Sequence, residues 1–418
     1  LSDGRQTPPA LPGTAADKAL SLGIPIITLG LGREVRARDL SLTPLQRQVT
    51  AFVGQQFQVG ARLTNAELGD VRIEAELLDA AGKVLAKQTV LIADNTTRDV
   101  LFNPTPQANA GRVTYTLRVP EWPEERSIAN NRTQVTAAVF DQPIRVLLTE
   151  GTPHWDSKFL AQVLRDQANM VVTENYRISE GRYHRIHSGK TELLEGESSA
   201  FPADPAALRK YDILVFGKGM EYFVDSRRAE HIAGFVRDHG GCIVFARACP
   251  WYREIPRIAA LSPVTWGRSL TRPGRWYPSE DGERLQLFGA RLPGRDDPIW
   301  AALPELAHLQ TCESVHGFAH VLAQCVRTSE TVSRSEPLIV SRRFGRGLSV
   351  AVNAEQLWHW DIFAAEGRTK QIYQAFWPQL VEWALTSSEF LPGQEYSLRV
   401  TPALVRVGEP LRVTVGRR

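Results

Sequence analysis

Hydrophobic positions follow different rules in different parts of this chain. Between residues 142 and 391 they fall in short unbroken runs separated by helical patterns. Ile144-Arg145-Val146-Leu147-Leu148 is one such run. A turn at Glu150-Gly151-Thr152-Pro153 follows, and then Phe159, Leu160, Val163 and Leu164 recur at helical spacing. A short aliphatic run bounded by turn residues predicts a strand covered on both faces, and the spacing after it predicts an amphipathic helix. Met170-Val171-Val172-Thr173, Tyr211 to Gly217 and Cys242 to Ala246 predict further strands. A helix from Ser226, with Ile232, Phe235 and Val236 on one face, stops at His239-Gly240-Gly241. This β-α-β order predicts a doubly wound, mostly parallel sheet. Residues 177 to 205 have no clear period and suggest a long surface insertion. Pro337 to Phe344 and Leu348 to Val352 flank Gly345-Arg346-Gly347, a hairpin signal, and Ile372, Phe376, Leu380, Trp383 and Ala384 mark a closing helix over Thr369–Thr386.

From 35 to 141 the rule changes to alternation. Phe57–Leu63, Val71–Leu77, Val84–Val90, Val113–Val119 and Gln134–Val139 are short strands with turn signals between them. That pattern predicts an antiparallel sandwich. Residues 1–34 suggest the end of another α/β domain: a helical pattern from Ala15 to Leu22 stops at Gly23, and Ile24 to Gly30 is strand-like. Residues 392–418 suggest the start of a further β-domain, with strands at Tyr396–Pro402, Val405–Pro410 and Leu411–Val415. The chain opens at Leu1 without Met and stops just after a strand-like run, so the expectation is a fragment of a longer protein.

Composition narrows the function classes. The 418 residues are 43% hydrophobic and 23% charged, with a formal net charge of +3. Both signs are interspersed and no Lys/Arg block stands out, so nucleic acid is not expected as a partner. No apolar run is long enough to span a bilayer. Cys242, Cys249, Cys312 and Cys325 are spaced unlike any CxxC zinc pattern, and buried thiols are expected.

Several stretches resemble known families. LSDG followed by ALSLGIPIITLGLG resembles the last third of a von Willebrand factor A domain. The resemblance implies that Asp3 helps to hold a divalent cation in the intact parent domain, the other ligands lying upstream of Leu1. The DAAGKVLA turn, and Ser127-Ile128-Ala129-Asn130-Asn131 before the last strand, resemble immunoglobulin-like modules of bacterial surface proteins. EGTPHWDSKFL, YDILVFG, FVRDHGGCIVFA, PLIVSRRFGRG and LWHWDIF, in that order, resemble the glutamine amidotransferase-like domains of bacterial von Willebrand A-type membrane proteins. The implied fold over 142–391 is the class I glutamine amidotransferase-like, flavodoxin-like doubly wound sheet, preceded by an immunoglobulin-like β-sandwich. The resemblance also implies a membrane-associated, cell-envelope setting, with attachment through segments outside this chain.

Chemistry is less legible than architecture. A class I amidotransferase needs a Cys on a strained GxCxG turn, a His to take its proton and an acid to orient that His. The strand Cys242–Ala246 is followed by Arg247-Ala248-Cys249-Pro250. Cys249 is near the required place but lacks both glycines, and Pro250 disfavours an immediate helix. His359 and Asp361 are the best remaining partners, so Cys249, His359 and Asp361 are the candidate catalytic set. Trp155, Lys158 and Lys218 lie just beyond strand ends, at the edge where open α/β sheets bind ligands, and are the candidate ligand-binding residues. His316 and His320 are four apart without the Glu of a zinc-protease motif. The reading favoured is a non-catalytic binding or scaffolding segment with protein partners and no cofactor of its own. A Cys249-dependent amidohydrolase and a small-ligand sensor are the alternatives.

Overall fold

The computed structural model describes residues 38–418 apart from 55, 124, 126, 197–199, 272, 289–291, 329–332, 364–366 and 402–411. The helix and strand expected within 1–34, with Asp3, lie outside the described residues, as does the strand expected over 405–410.

The chain is mostly β. Its first described unit has eight strands: β1 (Asp39–Pro44), β2 (Gln48–Phe52), β3 (Val59–Ala66), β4 (Val71–Leu78), β5 (Val84–Ile92), β6 (Thr97–Phe102), β7 (Gly111–Arg118) and β8 (Arg132–Phe140). They form one sheet in the order β1-β3-β6 and another in the order β2-β8-β7-β4-β5. β2 runs parallel to β8, and the other pairs are antiparallel. In β4, Val71, Ile73, Ala75 and Leu77 are buried while Arg72 and Glu74 are exposed. That alternation makes one face of each sheet a wall of the shared core. β1, β2 and β6 lie beyond the strands expected from the sequence. Each is short, and β1 (Leu40, Leu42) and β6 (Val100, Phe102) bury only two side chains each in the core.

The second unit is built on a sheet of ten strands. Five are parallel: β9 (Ile144–Glu150), β10 (Met170–Ser179), β13 (Ile213–Phe216), β14 (Cys242–Phe245) and β20 (Gly347–Val352), ordered β10-β9-β13-β14-β20. Alternate residues of these strands enter two separate cores. Val146, Leu148, Val215 and Val244 pack under helices α1 (Trp155–Arg165) and α4 (Gly367–Thr386). Leu147, Leu214, Phe216 and Phe245 pack under α2 (Ser226–Arg237). Burial on both sides explains why these strands show as unbroken apolar runs. Antiparallel strands β19 (Ser333–Phe344), β18 (Ala319–Thr328) and β16 (Arg275–Pro278) extend the sheet beyond β20. A small sheet of β15 (Val264–Leu270), β17 (His308–Val315) and β21 (Ala354–Glu355) stands beside it. Between β21 and α4 lies the short helix α3 (His359–Ile362).

The expected irregular insertion is instead two further strands, β11 (Arg182–His187) and β12 (Lys190–Glu195), added to the other edge. Two-residue turns make them: Glu180-Gly181, and Ser188-Gly189, where Ser188, Gly189 and Gly181 all have positive φ. Charged residues interrupt the alternation of these strands, which hid them. At the far end β22 (Tyr396–Thr401) pairs antiparallel with β23 (Arg412–Arg417).

The sandwich and the α/β unit share a core. Phe52, Ala138 and Phe140 belong to the same buried cluster as Ile144, Val146 and Leu385. The Phe52 and Phe140 rings lie 5.8 Å apart, so the last sandwich strand is fastened at the base of the first parallel strand. Phe140→Ala should therefore lower stability by about 3–5 kcal/mol, the range for a large core aromatic. Because the core is shared, urea unfolding followed by tryptophan fluorescence should show the α/β unit losing stability too. A shift confined to the sandwich would mean that the two units are energetically independent.

Candidate functional site

β9 has β10 on one side and β13 on the other, so its carboxyl end is the point from which neighbouring connections diverge. Open α/β sheets hold ligands in the crevice outside such a point. Here the crevice is filled by the protein's own charges. Glu150, the last residue of β9, is fully buried. Its Oε1 accepts from the backbone N–H groups of Lys218 (2.9 Å) and Thr152 (3.2 Å). Its Oε2 accepts from the Ser157 hydroxyl and from Arg247 Nη1 at 2.9 Å. Gly151 and Gly217 make this approach feasible: a Cβ on Gly217 would overlap the Glu150 carboxylate, and one on Gly151 would overlap the Lys218 and Gly219 backbone.

Arg247 follows β14 and is 5% exposed. It donates to Glu150 with one terminal nitrogen and to Glu355 Oε2 with the other, at 2.9 Å. Glu355 Oε1 also meets Lys218 Nζ at 3.0 Å. Asp156 Oδ2 accepts from Gln356 N at 2.7 Å and lies 4.0 Å from Arg247 Nε. Three carboxylates thus surround two cations. Burial pushes the Glu150 carboxyl above its ordinary range, with Arg247 opposing. Burial pushes Glu355 the same way, but Lys218 and Arg247 outweigh it and hold that carboxyl below its usual value. His154, Asp156 and Glu355 place one ligand atom each within 4.8 Å of one another. Arg247 and Lys218 already bond to Glu355, and His154 Nδ1 caps α1 by accepting from Asp156 N at 3.2 Å. A metal ion there would face two fixed positive charges.

The backbone after β14 turns sharply. Ala248, buried, has φ +56°, and its N–H donates to Val352 O at 2.8 Å. Left-handed backbone at a residue with a Cβ is strained, and strained turns at this place in related architectures present a nucleophile. The side chain here is a methyl. Cys249, one residue on, is half-buried, and its sulfur donates to Trp251 O at 3.5 Å. Burial raises its pKa, so the thiol stays protonated at neutral pH.

The candidate catalytic set does not meet. His359 starts α3, wedged between the rings of Trp358 (4.3 Å) and Phe363 (5.1 Å). Burial lowers its pKa, with the Asp156 charge opposing. No hydrogen bond joins Cys249, His359 and Asp361 among the described residues. Asp361 Oδ1 is buried without a hydrogen-bond partner. His316 bonds Arg342 and Thr265, whereas His320 faces Asp281, so that pair shares no site. The four cysteines are free thiols.

The candidate ligand residues divide. Lys218 belongs to the buried ion network. Trp155 and Lys158 come together beside it, Lys158 Nζ lying 4.6 Å from the Trp155 ring centre. Trp155 is 51% exposed and lies 6.0 Å from Trp358, which stacks on Phe159. Trp155 and Lys158, with Tyr176, Ile178, His184 and Ile186 on the β10–β11 extension, line an open groove of about 660 Å³. The Glu150–Arg247–Glu355 network is absent from the residues expected by sequence. Its one local signal is glycine after two parallel strands that are neighbours in the sheet, at Gly151 after β9 and Gly217 after β13.

No family model matches the chain, and no curated protein matches it. Among solved structures the chain is similar to the CARDB domain of a Pyrococcus furiosus protein in complex with di-metal ions. That likeness has 18% identity, covers 27% of this chain and 95% of that one, and has a TM-score of 0.22. It is also similar to a domain described as that of a cell-surface protein from Methanosarcina acetivorans, at 25% identity, 25% and 95% coverage and a TM-score of 0.21. Both likenesses concern about a quarter of the chain. The immunoglobulin-like character of the sandwich rests on its own strands, two facing sheets over one core. No helix among the described residues is long and apolar enough to cross a membrane.

Arg247→Met leaves Glu150 buried without its cation and leaves half-buried Glu355 with Lys218 alone, which should cost about 3–5 kcal/mol. The sign of its pH dependence follows from the two carboxyls. In the native protein Glu355 is held low, so its contribution is present above the unfolded carboxylate pKa and is lost as pH falls through the folded one. Without Arg247, burial favours the neutral form of Glu150, while Lys218 still holds Glu355 charged, and stability is lost as pH rises through the Glu150 carboxyl. Thermal unfolding should therefore show a defect that is large at about pH 8 and small at about pH 4. An equal defect at both would mean that the guanidinium acts by packing alone.

Proposed function

We propose that this chain is a non-catalytic binding and scaffolding segment of a membrane-associated bacterial cell-envelope protein. In this reading its α/β unit is of the class I glutamine amidotransferase-like type, kept as a framework after loss of the nucleophile. The parallel strands support the fold assignment: numbered by sequence, they lie in the order second, first, third, fourth, fifth, which is the flavodoxin-like order. The observation that carries the functional reading is the turn after the fourth of them. Its strained position holds Ala248, and the residue before it, Arg247, is locked into ion pairs where a substrate would lie. The groove beside Trp155 and Lys158 supports the binding half of the proposal, since an exposed aromatic surface with a cationic rim suits a protein partner. The envelope setting and membrane association rest on the sequence resemblance.

The test is ammonia release from glutamine, compared between the natural chain and Cys249→Ala. Both should match the uncatalysed background, and iodoacetamide should label Cys249 no faster than an ordinary buried thiol at neutral pH. Release that disappears in Cys249→Ala and in His359→Ala would overturn the proposal in favour of a cysteine amidohydrolase.

A further inference from the structure

A second cavity, of about 350 Å³, lies where the sandwich meets the α/β unit. Its wall from α4 is a stripe at positions 379, 382, 383 and 386, the i, i+3, i+4, i+7 spacing that normally carries a helix's apolar face. Here the stripe is Gln379, Glu382, Trp383 and Thr386. On the opposite wall Gln48 and Thr50, two apart on β2, point away from the sandwich core into the cavity.

Two features ask for an occupant. Gln379 is 6% exposed and lines the cavity, so the little surface that its carboxamide keeps opens on that space. An amide so placed is satisfied by whatever fills the cavity. Gln286 has φ +65°, a strained conformation for a residue with a side chain. That strain holds it across the junction, where its Oε1 accepts from Arg47 N at 3.1 Å and its carbonyl from Gln46 Nε2 at 3.5 Å. The chemistry of the lining then selects the ligand. Among the described residues no Lys, Arg or His borders the cavity, and Glu382 brings a carboxylate, so an anion is disfavoured. Carboxamides and hydroxyls each donate and accept, which matches groups that do both. The Trp383 indole, anchored through Nε1 to Leu285 O at 2.7 Å, adds an aromatic edge.

We propose that this interdomain cleft binds a neutral polyhydroxylated ligand, a mono- or disaccharide, with Gln379 and Gln286 as its principal hydrogen-bonding residues. The volume is at the small end for ligand pockets, enough for about one or two sugar rings. The site is separate from the carboxyl-edge groove and does not depend on the absence of catalysis there.

The experiment is saturation-transfer NMR on the intact 418-residue chain, titrated with glucose, N-acetylglucosamine, maltose, cellobiose and diacetylchitobiose, with glucuronate as the anionic control. At least one neutral sugar should saturate below about 20 mM and quench or enhance tryptophan fluorescence in parallel. Gln379→Leu should weaken that binding by about tenfold or more. Should Gln379→Leu fold poorly, Gln48→Ala, at a half-buried strand position, gives the same comparison. The proposal is overturned if no neutral sugar saturates, if glucuronate binds as well as the neutral sugars, or if the folded variants bind as the natural chain does.

Discussion

A guanidinium withdrawn from water must be given anions, and Arg247 is given two. Moving a charge out of water costs several kcal/mol even after relaxation, and the attraction of a partner offsets this only with good geometry. Arg247 meets the condition by bridging Glu150 and Glu355 at 2.9 Å each. Those residues belong to three different stretches: the end of the first parallel strand, the turn after the fourth, and the short strand after the fifth. The network therefore joins three loops that would otherwise move separately at the sheet's edge. Such a pair need not add net stability over a well-packed apolar substitute. What it fixes is relative position, and the Trp155 groove is built on the same loops: His154 both lines that groove and caps the helix whose Asp156 faces Arg247.

This dependence explains which parts of the molecule the sequence discloses. Ile144–Leu148, Tyr211–Gly217 and Cys242–Ala246 announce parallel strands because burial on both faces makes every position apolar. Val71–Leu77 announces an antiparallel strand because one face is wet. β11 and β12 stay hidden because Arg182, Arg185, Lys190, Glu192 and Glu195 occupy an exposed edge where charge is an advantage, and edge strands are often charged for that reason. The ion network is hidden for a different cause. Glu150 and Arg247 are 97 residues apart, and no local period relates them. Trp155 and Lys158 are one helical turn apart and could be paired from sequence. Lys218 could not be separated from them, because all three follow parallel strands and only the third dimension divides the edge into a groove and a filled crevice.

The interdomain cleft illustrates the same limit within one helix. Read for apolar spacing, α4 gives Ile372, Phe376, Leu380, Trp383 and Ala384, and all of these are buried. That reading treats Gln379 and Glu382 as the solvated face. They are buried as well, because the sandwich covers the helix from the other side. The second half of the helix is enclosed from Phe376 to Leu385, and the Gln and Glu on its stripe must therefore face polar groups, as Glu382 does in accepting from Asn169 Nδ2 at 3.0 Å.

Backbone strain at Ala248 is the last piece, and it follows from Arg247. Holding a residue with a Cβ at φ +56° costs about 1–2 kcal/mol, which glycine would avoid. The turn is nonetheless held from two sides. Ala248 N–H is bonded to Val352 O, tying the turn to the end of β20, and the next residue in that strand-end segment leads to Glu355. Arg247 can reach Glu150 and Glu355 together only if the chain bends immediately after it, so the charge pairs supply what the bend costs. A strained turn of this kind ordinarily presents a reactive group to solvent. Here the side chain at the bend is inert and the one before it faces inward, which makes the turn a clamp on the sheet's edge.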